Sequence, residues 1–322
     1  MAGQAWDRVP IDAQSIEAPL SRAAIFLVLE VAAGDEATAS VRSALGGLDD
    51  LLKTVGFRDL EGKLSCIAAI GSALWDRLDP SGRPAELRPF AAIEGAAHRA
   101  PSTPGDLLFH IRAERFDFCF ELEKLLLDAL GDSVRLVDET SGFRYFDARD
   151  LLGFVDGTAN PVGQDIPEAA LVGEEDPRFA GGSYVVTQKY LHDLAAWKAL
   201  RAEEQERIIG RTKVDNIEID DDKAERKSHK SLATIEDEHG VEHDILRDNM
   251  PFGSAGRGEF GTYFIGYSRR LWVIEKMLRR MFVGEPPGAY DRLLDFSTAQ
   301  TGATFFAPSR SVLARLAAAG DA

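Results

Sequence analysis

The order of apolar runs predicts an α+β fold made of two similar halves. Two observations carry the prediction. Each half shows a strand-type run followed by an amphipathic helical run early, and a second such pair late. In the late pair of both halves, a short polar bridge with arginine joins strand to helix (Ala113-Glu114-Arg115; Ser268-Arg269-Arg270). Strand–helix at both ends of each half is the order of the ferredoxin-like β-α-β-β-α-β plan, so the chain reads as an internal duplication of that unit with antiparallel sheets flanked by helices. The expected units are residues 1–150 and 151–322, with the junction near Phe143 to Asp150.

In chain order, residues 23–29 form a buried-type strand and residues 35–55 a helix. Residues 80–104 are rich in Pro, Ala and Gly; Pro80, Pro84 and Pro89 argue for a loop over one long helix. Residues 106–112 are strand-like. In the helix over 116–130, the expected apolar face is Phe116, Cys119, Phe120, Leu126, Leu127 and Leu130. In the second half, residues 182–188 read as a strand and 191–200 as a helix. Residues 261–267 read as a strand and 271–282 as a helix, with Leu271, Ile274, Met277, Leu278 and Met281 on one face. Residues 215–242 are strongly polar and read as a loop, and a loop of that length is more often functional than a short one. Residues 303–308 read as a last strand and 311–322 as a short terminal helix.

Composition narrows the function. The chain has 322 residues, 45% apolar and 28% charged, which suits a soluble globular protein with a buried core. A net charge of −16 repels phosphate backbones and anionic bilayers, so nucleic acid and membrane partners are not expected. No apolar run approaches bilayer-spanning length. Cys66 and Cys119 sit in apolar stretches and read as free thiols, which fits a reducing compartment. Residues 1–10 carry no signal-like pattern, so a cytoplasmic location is expected. The absence of Cys-x-x-Cys-His excludes the usual covalent c-type haem attachment.

Four segments could carry chemistry. The stretch Gly153-Phe154-Val155-Asp156-Gly157-Thr158-Ala159-Asn160-Pro161 holds one carboxylate in a glycine-bounded turn. Such a fixed carboxylate suits proton transfer, although a plain structural turn has the same pattern. Among six histidines, His229 stands out by its setting, Lys227-Ser228-His229-Lys230-Ser231, inside the long polar segment. His239 and His243 are four apart but fall in what reads as a hairpin tip. Arg247 follows two apolar residues and precedes Asp248-Asn249-Met250-Pro251-Phe252-Gly253; it is either a buried ion-pair partner or a cation over a pocket. Asp291, in Tyr290-Asp291-Arg292-Leu293-Leu294-Asp295-Phe296-Ser297, follows Pro286-Pro287-Gly288 and could simply cap a helix.

Together these segments, with Thr301-Gly302, resemble the dye-decolourising peroxidases, and in particular the shorter cytoplasmic class called type B. The order and spacing fit as well: 73 positions separate Asp156 from His229, and 18 separate His229 from Arg247. The similarity runs from about Ala23 to Pro308. The resemblance implies paired ferredoxin-like units with haem b in the C-terminal half. It implies His229 as the axial iron ligand and Asp291 as the acceptor for its other ring nitrogen. Asp156, Arg247 and Asn249 match the side where peroxide binds. Arg211 is the candidate partner of a haem propionate, and Phe264 a candidate for packing on the porphyrin. The implied reaction uses hydrogen peroxide to oxidise dyes, phenolics or other small organic electron donors through a ferryl intermediate. A homo-oligomer is expected. Relatives are often cargo of protein nanocompartments, but residues 311–322 read as a helix, not a docking tail, so encapsulation is not expected.

Two departures stand out. Ala159 occupies a position where many members carry Glu or another polar residue, and Lys230-Ser231 replaces the usual Val-Ala after the histidine. Two alternatives remain open at this level: a haem carrier on the same scaffold, and a duplicated α+β protein whose four motifs are only turns.

Overall fold

The computed structural model describes residues 12–221 and 223–319. The sequence readings on residues 1–10, on Asp222 and on the last three residues lie outside them. The first half contains β1 (Ala23–Val31), α1 (Asp35–Gly56), β2 (Ser65–Ile70), α2 (Ser72–Leu78), β3 (Ile93–Glu94), β4 (Arg99–Ala100), β5 (Leu107–Ala113), α3 (Phe116–Leu130) and β6 (Val134–Phe143). The second half opens with α4 (Asp165–Ala170), β7 (Ser183–His192), α5 (Leu194–Ala199), α6 (Ala202–Ile209) and α7 (His229–Ala233). There follow β8 (Ile235–Glu236), β9 (Glu242–His243), β10 (Leu246–Arg247), β11 (Met250–Ser254), β12 (Glu259–Ser268), α8 (Leu271–Phe282), β13 (Ser297–Ala299), β14 (Ala303–Ala307) and α9 (Arg310–Ala318).

Ten strands form one antiparallel sheet in the order β6-β1-β5-β2-β14-β7-β12-β10, with β11 also on β12 and β13 on β7, while β3–β4 and β8–β9 are separate hairpins. The first four of these strands repeat the order of the next group: each half places its first strand between its third and its last. That is the ferredoxin-like order predicted above. The halves join where Phe306 of β14 meets Ile70 of β2. At the far edges the sheet curls back on itself. Gly142 of β6 lies so close to β11 that a Cβ there would sit 2.6 Å from that of Met250.

The curl creates two cores. One lies under the helices: the apolar faces of α1, α3 and α8 pack Val41, Leu45, Leu122, Ile274 and Met277 against one sheet face. The other fills the space between the inner faces, with Phe26, Leu108, Val185, Ile265 and Phe305 from both halves. Near-continuous apolar runs such as Ala23-Ala24-Ile25-Phe26-Leu27 follow from this, since both faces of those strands are buried.

Most predicted elements appear within a few residues of their expected bounds, and α3 and α8 match at both ends. Five points differ from the sequence reading. The run at Cys66 is strand β2, and residues 134–143 form strand β6, neither of which was expected. The loop over 80–104 contains the small hairpin β3–β4. The helix expected from residue 191 starts at Leu194, because Leu191 and His192 continue β7 and pair with Thr298 and Ser297. On α3, Phe116 and Phe120 are exposed; the buried face runs through Phe118, Cys119, Leu122, Glu123, Leu126 and Leu130. Cys66 and Cys119 are buried free thiols, and among the described residues no helix is long and apolar enough to cross a membrane.

Candidate active site

His229 opens the one-turn helix α7. Such a short helix has little intrinsic stability, so its position depends on its cap and neighbours. The Ser228 hydroxyl accepts the backbone N–H of Ser231, which caps the turn. Asp221 grips the same turn from the polar loop: its carboxylate accepts the Ser228 N–H at 2.6 Å and the Ser231 hydroxyl at 2.8 Å. Gly210 (φ +91) ends α6 against this cap, where a Cβ would stand 2.5 Å from the Ser228 hydroxyl. The turn has one available pose.

Asp291 is fully buried behind His229. Its Oδ1 accepts the Leu293 N–H at 2.9 Å, which caps a single 3-10 turn, as the bland reading of this residue expected. Its Oδ2 lies 2.6 Å from His229 Nδ1. A carboxylate accepts, so Nδ1 carries the proton and Nε2 keeps its lone pair. Burial alone would push the imidazole pKa down, but the charge and hydrogen bond of Asp291 outweigh it and hold the pKa above the ordinary value. Nε2 makes no hydrogen bond among the described residues, and His229 lines a large cavity.

Asp156, Arg247 and Asn249 line that same cavity. Gly153 (φ +93) and Gly157 (φ +78) give the turn around Asp156 its shape, as their identity suggested. The Asp156 N–H donates to Ala148 at 2.9 Å, while its carboxylate accepts the Gly157 N–H at 2.7 Å and the Asn249 amide at 3.5 Å. Asn160, at the end of the turn, clamps Arg247 by its backbone. The Asn160 Oδ1 accepts the Arg247 N–H at 3.0 Å, and its Nδ2 donates to the Arg247 carbonyl at 2.6 Å. The motif was visible in the sequence, but this role for Asn160 was not. Of the two sequence readings of Arg247, the cation over a pocket holds: among the described residues its guanidinium makes no ion pair, and Nη2 lies 3.9 Å from the Met277 sulfur. Burial lowers its pKa, opposed by the charges of Asp156 and Asp244.

Arg211 and Phe264 also face the cavity. Arg211 donates to the Asn216 carbonyl at 2.7 Å and approaches Glu218 at 3.4 Å. His239 and His243 belong to the β8–β9 hairpin, as expected, and His243 lies 3.1 Å from Asp237. Asp150 was not anticipated. It is among the residues that line the cavity, its Oδ1 accepts the Phe154 N–H at 2.9 Å, and burial, assisted by the Asp156 charge, lifts its pKa to about 7. The signal available was its place directly before the Gly-bounded turn.

The cavity opens to solvent on one side, and its walls come from β7, α7, β12 and α8. The donor set fits haem: one unpartnered imidazole nitrogen, apolar walls from Phe264, Met277 and Leu294, and a half-buried cation and carboxylate beside the remaining space. A site of this construction on this scaffold defines a haem peroxidase.

The chain belongs to the Dyp-type peroxidase family. The models of its N-terminal and C-terminal parts match residues 13–144 and 147–312. The dye-decolorizing peroxidase of Mycolicibacterium paratuberculosis is 56% identical over 300 residues, which cover 93% of this chain and 84% of the relative. DyPB from Rhodococcus jostii RHA1 superposes with a TM-score of 0.92 at 57% identity, covering 95% of this chain and 99% of that one; variants of it have been solved in complex with heme. The encapsulated DyP-type peroxidase from Mycobacterium smegmatis gives a TM-score of 0.91 at 55% identity, with 95% and 98% covered. Peroxidases of this family are haem proteins that use hydrogen peroxide, so the carrier and haem-free alternatives are set aside.

Proposed function

We propose that His229 would hold the haem iron through Nε2 and that Asp156, Arg247 and Asn249, which line the same cavity, would act on peroxide. Bound haem would supply the redox chemistry, a two-electron reaction with peroxide and one-electron reactions with donors. The protein's part is to place protons and charge. Asp291 fixes the His229 ring and, by accepting Nδ1–H, makes Nε2 a stronger donor. The Asp156 carboxylate takes a proton from one peroxide oxygen and returns it to the other. The permanently charged Arg247 guanidinium stabilises the negative charge that grows on the departing oxygen. Asn249, between the Ile265 N–H and Asp156, holds the carboxylate in line. Arg211 would keep N–H groups for a haem propionate, and Phe264 would offer an apolar wall to the porphyrin.

The observation that supports this most is the His229–Asp291 pair with Nε2 left unpartnered at a cavity wall. Dyes, phenolics and similar small organic molecules are the proposed donors. We also propose that residues 1–150 and 151–322 are the two units, with the haem in the second, and that the protein works in the cytoplasm as a homo-oligomer. Its two free thiols support the location, and exposed apolar side chains such as Phe57, Leu60 and Phe146 support self-association.

Stopped-flow spectroscopy of single variants tests the assignment. Arg247→Leu is expected to slow the reaction with peroxide about 10²–10³-fold, the scale of losing one charge-stabilising donor. Asp156→Ala is expected to slow it less. If both react at the parent rate, the peroxide-side assignment is wrong. His229→Ala is expected to lose or weaken haem binding, and an unchanged Soret band would move the ligand elsewhere.

A further inference from the structure

A second set of polar groups lies behind the segment that carries Arg247 and Asn249. Strand β12 alternates: Thr262 and Phe264 line the haem cavity, whereas Tyr263, Ile265 and Tyr267 point into the core between the inner sheet faces. Leu246 pairs with Tyr267, and Arg247 with Gly266, so the Tyr267 ring is one sheet layer from the cavity. Tyr267 and His110 of β5 are both fully buried, and the hydroxyl lies 2.7 Å from His110 Nδ1. His110 Nε2 has no hydrogen-bond partner among the described residues and sits 3.8 Å from Asp248 Oδ2. Asp248, the residue between Arg247 and Asn249, accepts from Arg112 Nη1 at 2.7 Å. The rings form a stack: Tyr267 on His110 (6.1 Å), His110 on Phe26 (4.7 Å) and Phe26 on Tyr263 (4.1 Å).

We propose that Tyr267 is a one-electron oxidation site, with His110 as its proton acceptor, that stores one of the two oxidising equivalents delivered by peroxide. The inference rests on the peroxidase reading above. One electron leaves the Tyr267 ring for the haem site that peroxide has oxidised, and reduces it by one equivalent. The phenolic O–H bond breaks, and its proton moves to His110 Nδ1. A neutral tyrosyl radical and an imidazolium remain, and charge balances. The imidazolium Nε2–H then faces the Asp248 carboxylate, which stabilises the new cation where no water reaches it. Before oxidation, burial holds the phenol pKa well above its ordinary value and, with the Arg112 charge, the imidazole pKa well below, so both groups are neutral; Asp248 beside Nε2 favours the tautomer that carries the proton there and leaves Nδ1 bare to accept the phenol. No donor molecule can touch a fully buried ring, so the equivalent stored there returns through the haem site.

Freeze-quench electron paramagnetic resonance of the haem-loaded full chain, mixed with hydrogen peroxide and no donor, tests this alongside the optical spectrum. The expected result is a tyrosyl radical with a proton coupling that vanishes in D2O. Tyr267→Phe keeps the ring stack and removes the signal, with haem uptake unchanged. His110→Gln, whose amide is no base, also removes it, and Tyr290→Phe leaves it intact. A signal that survives Tyr267→Phe or His110→Gln overturns the inference. So does the absence of any tyrosyl signal when the haem absorbance shows that peroxide has reacted. If the absorbance does not change at all, the peroxidase reading itself fails and takes the inference with it.

Discussion

At the scale of single residues, the His229–Asp291 pair would set the electronic character of the proposed iron ligand. Asp291 is fully buried, so its charge acts on the imidazole with little solvent screening. Asp291→Asn keeps the shape but loses the charge and leaves a weaker acceptor for Nδ1–H. Activity is expected to fall about 10–100-fold, the usual cost of losing such a partner. The ferric/ferrous potential is expected to rise, because the imidazole then stabilises the oxidised iron less. Spectroelectrochemistry of the variant reads this directly; an unchanged potential would show that Asp291 only caps its turn. The sequence offered both roles for Asp291, and no local pattern distinguishes them. The deciding contact spans 62 positions, and a carboxylate can cap with one oxygen while the other holds the histidine.

At the scale of elements, the segments of the proposed site are short and weakly helical or extended, and neighbours hold them in place. Asp221→Ala would remove two hydrogen bonds that pin α7. Its carboxyl is held below its ordinary pKa: burial opposes this, but the Ser228 and Ser231 hydrogen bonds outweigh it. Loss of the contact is expected to speed haem dissociation about tenfold, equivalent to ~1.4 kcal/mol, measured by transfer to an apo-haem acceptor protein. An unchanged dissociation rate would mean that the Ser228 cap alone fixes the turn. Long amphipathic elements such as α8 were legible because 3.6-residue periodicity survives any context. The face of α3 was misread because Glu123 is buried and Phe120 is exposed, a reversal that periodicity cannot anticipate. Burial of Glu123, with the Glu139 charge nearby, raises its carboxyl pKa to about 7. The unfolded chain ionises this group near 4.5, so stability should fall as pH rises from there to about 7 and then level off. Glu123→Gln should flatten that slope, which denaturant titrations at a series of pH values would reveal.

At the scale of the whole molecule, the inner core ties the halves together. Duplication was legible because both halves repeat one order of elements, but closure of the sheet was not. The close approach of β6 to β11 joins residues more than 100 positions apart, and neither strand shows a distinctive pattern. Arg112 of β5 and Asp248 beside β10 form a buried ion pair across the two halves, with side chains 2% and 4% exposed. Arg112 also donates to the Ser15 carbonyl, and its Nε remains without a partner. Replacing a whole buried pair by apolar groups is often neutral, whereas removal of one member leaves a charge stranded and costs ~3–5 kcal/mol. Arg112→Met is therefore expected to lower the melting temperature by about 6 °C or more. Because Asp248 separates Arg247 from Asn249, the same variant should also slow the reaction with peroxide. Arg112→Met with Asp248→Asn should recover stability, since no buried charge is then unpaired, but not the rate, since the clamp on the segment is gone. Calorimetry and stopped-flow on the two variants separate these effects. If the single variant melts with the parent and reacts at the parent rate, the halves are held by apolar packing alone and the pair between them does not position the site.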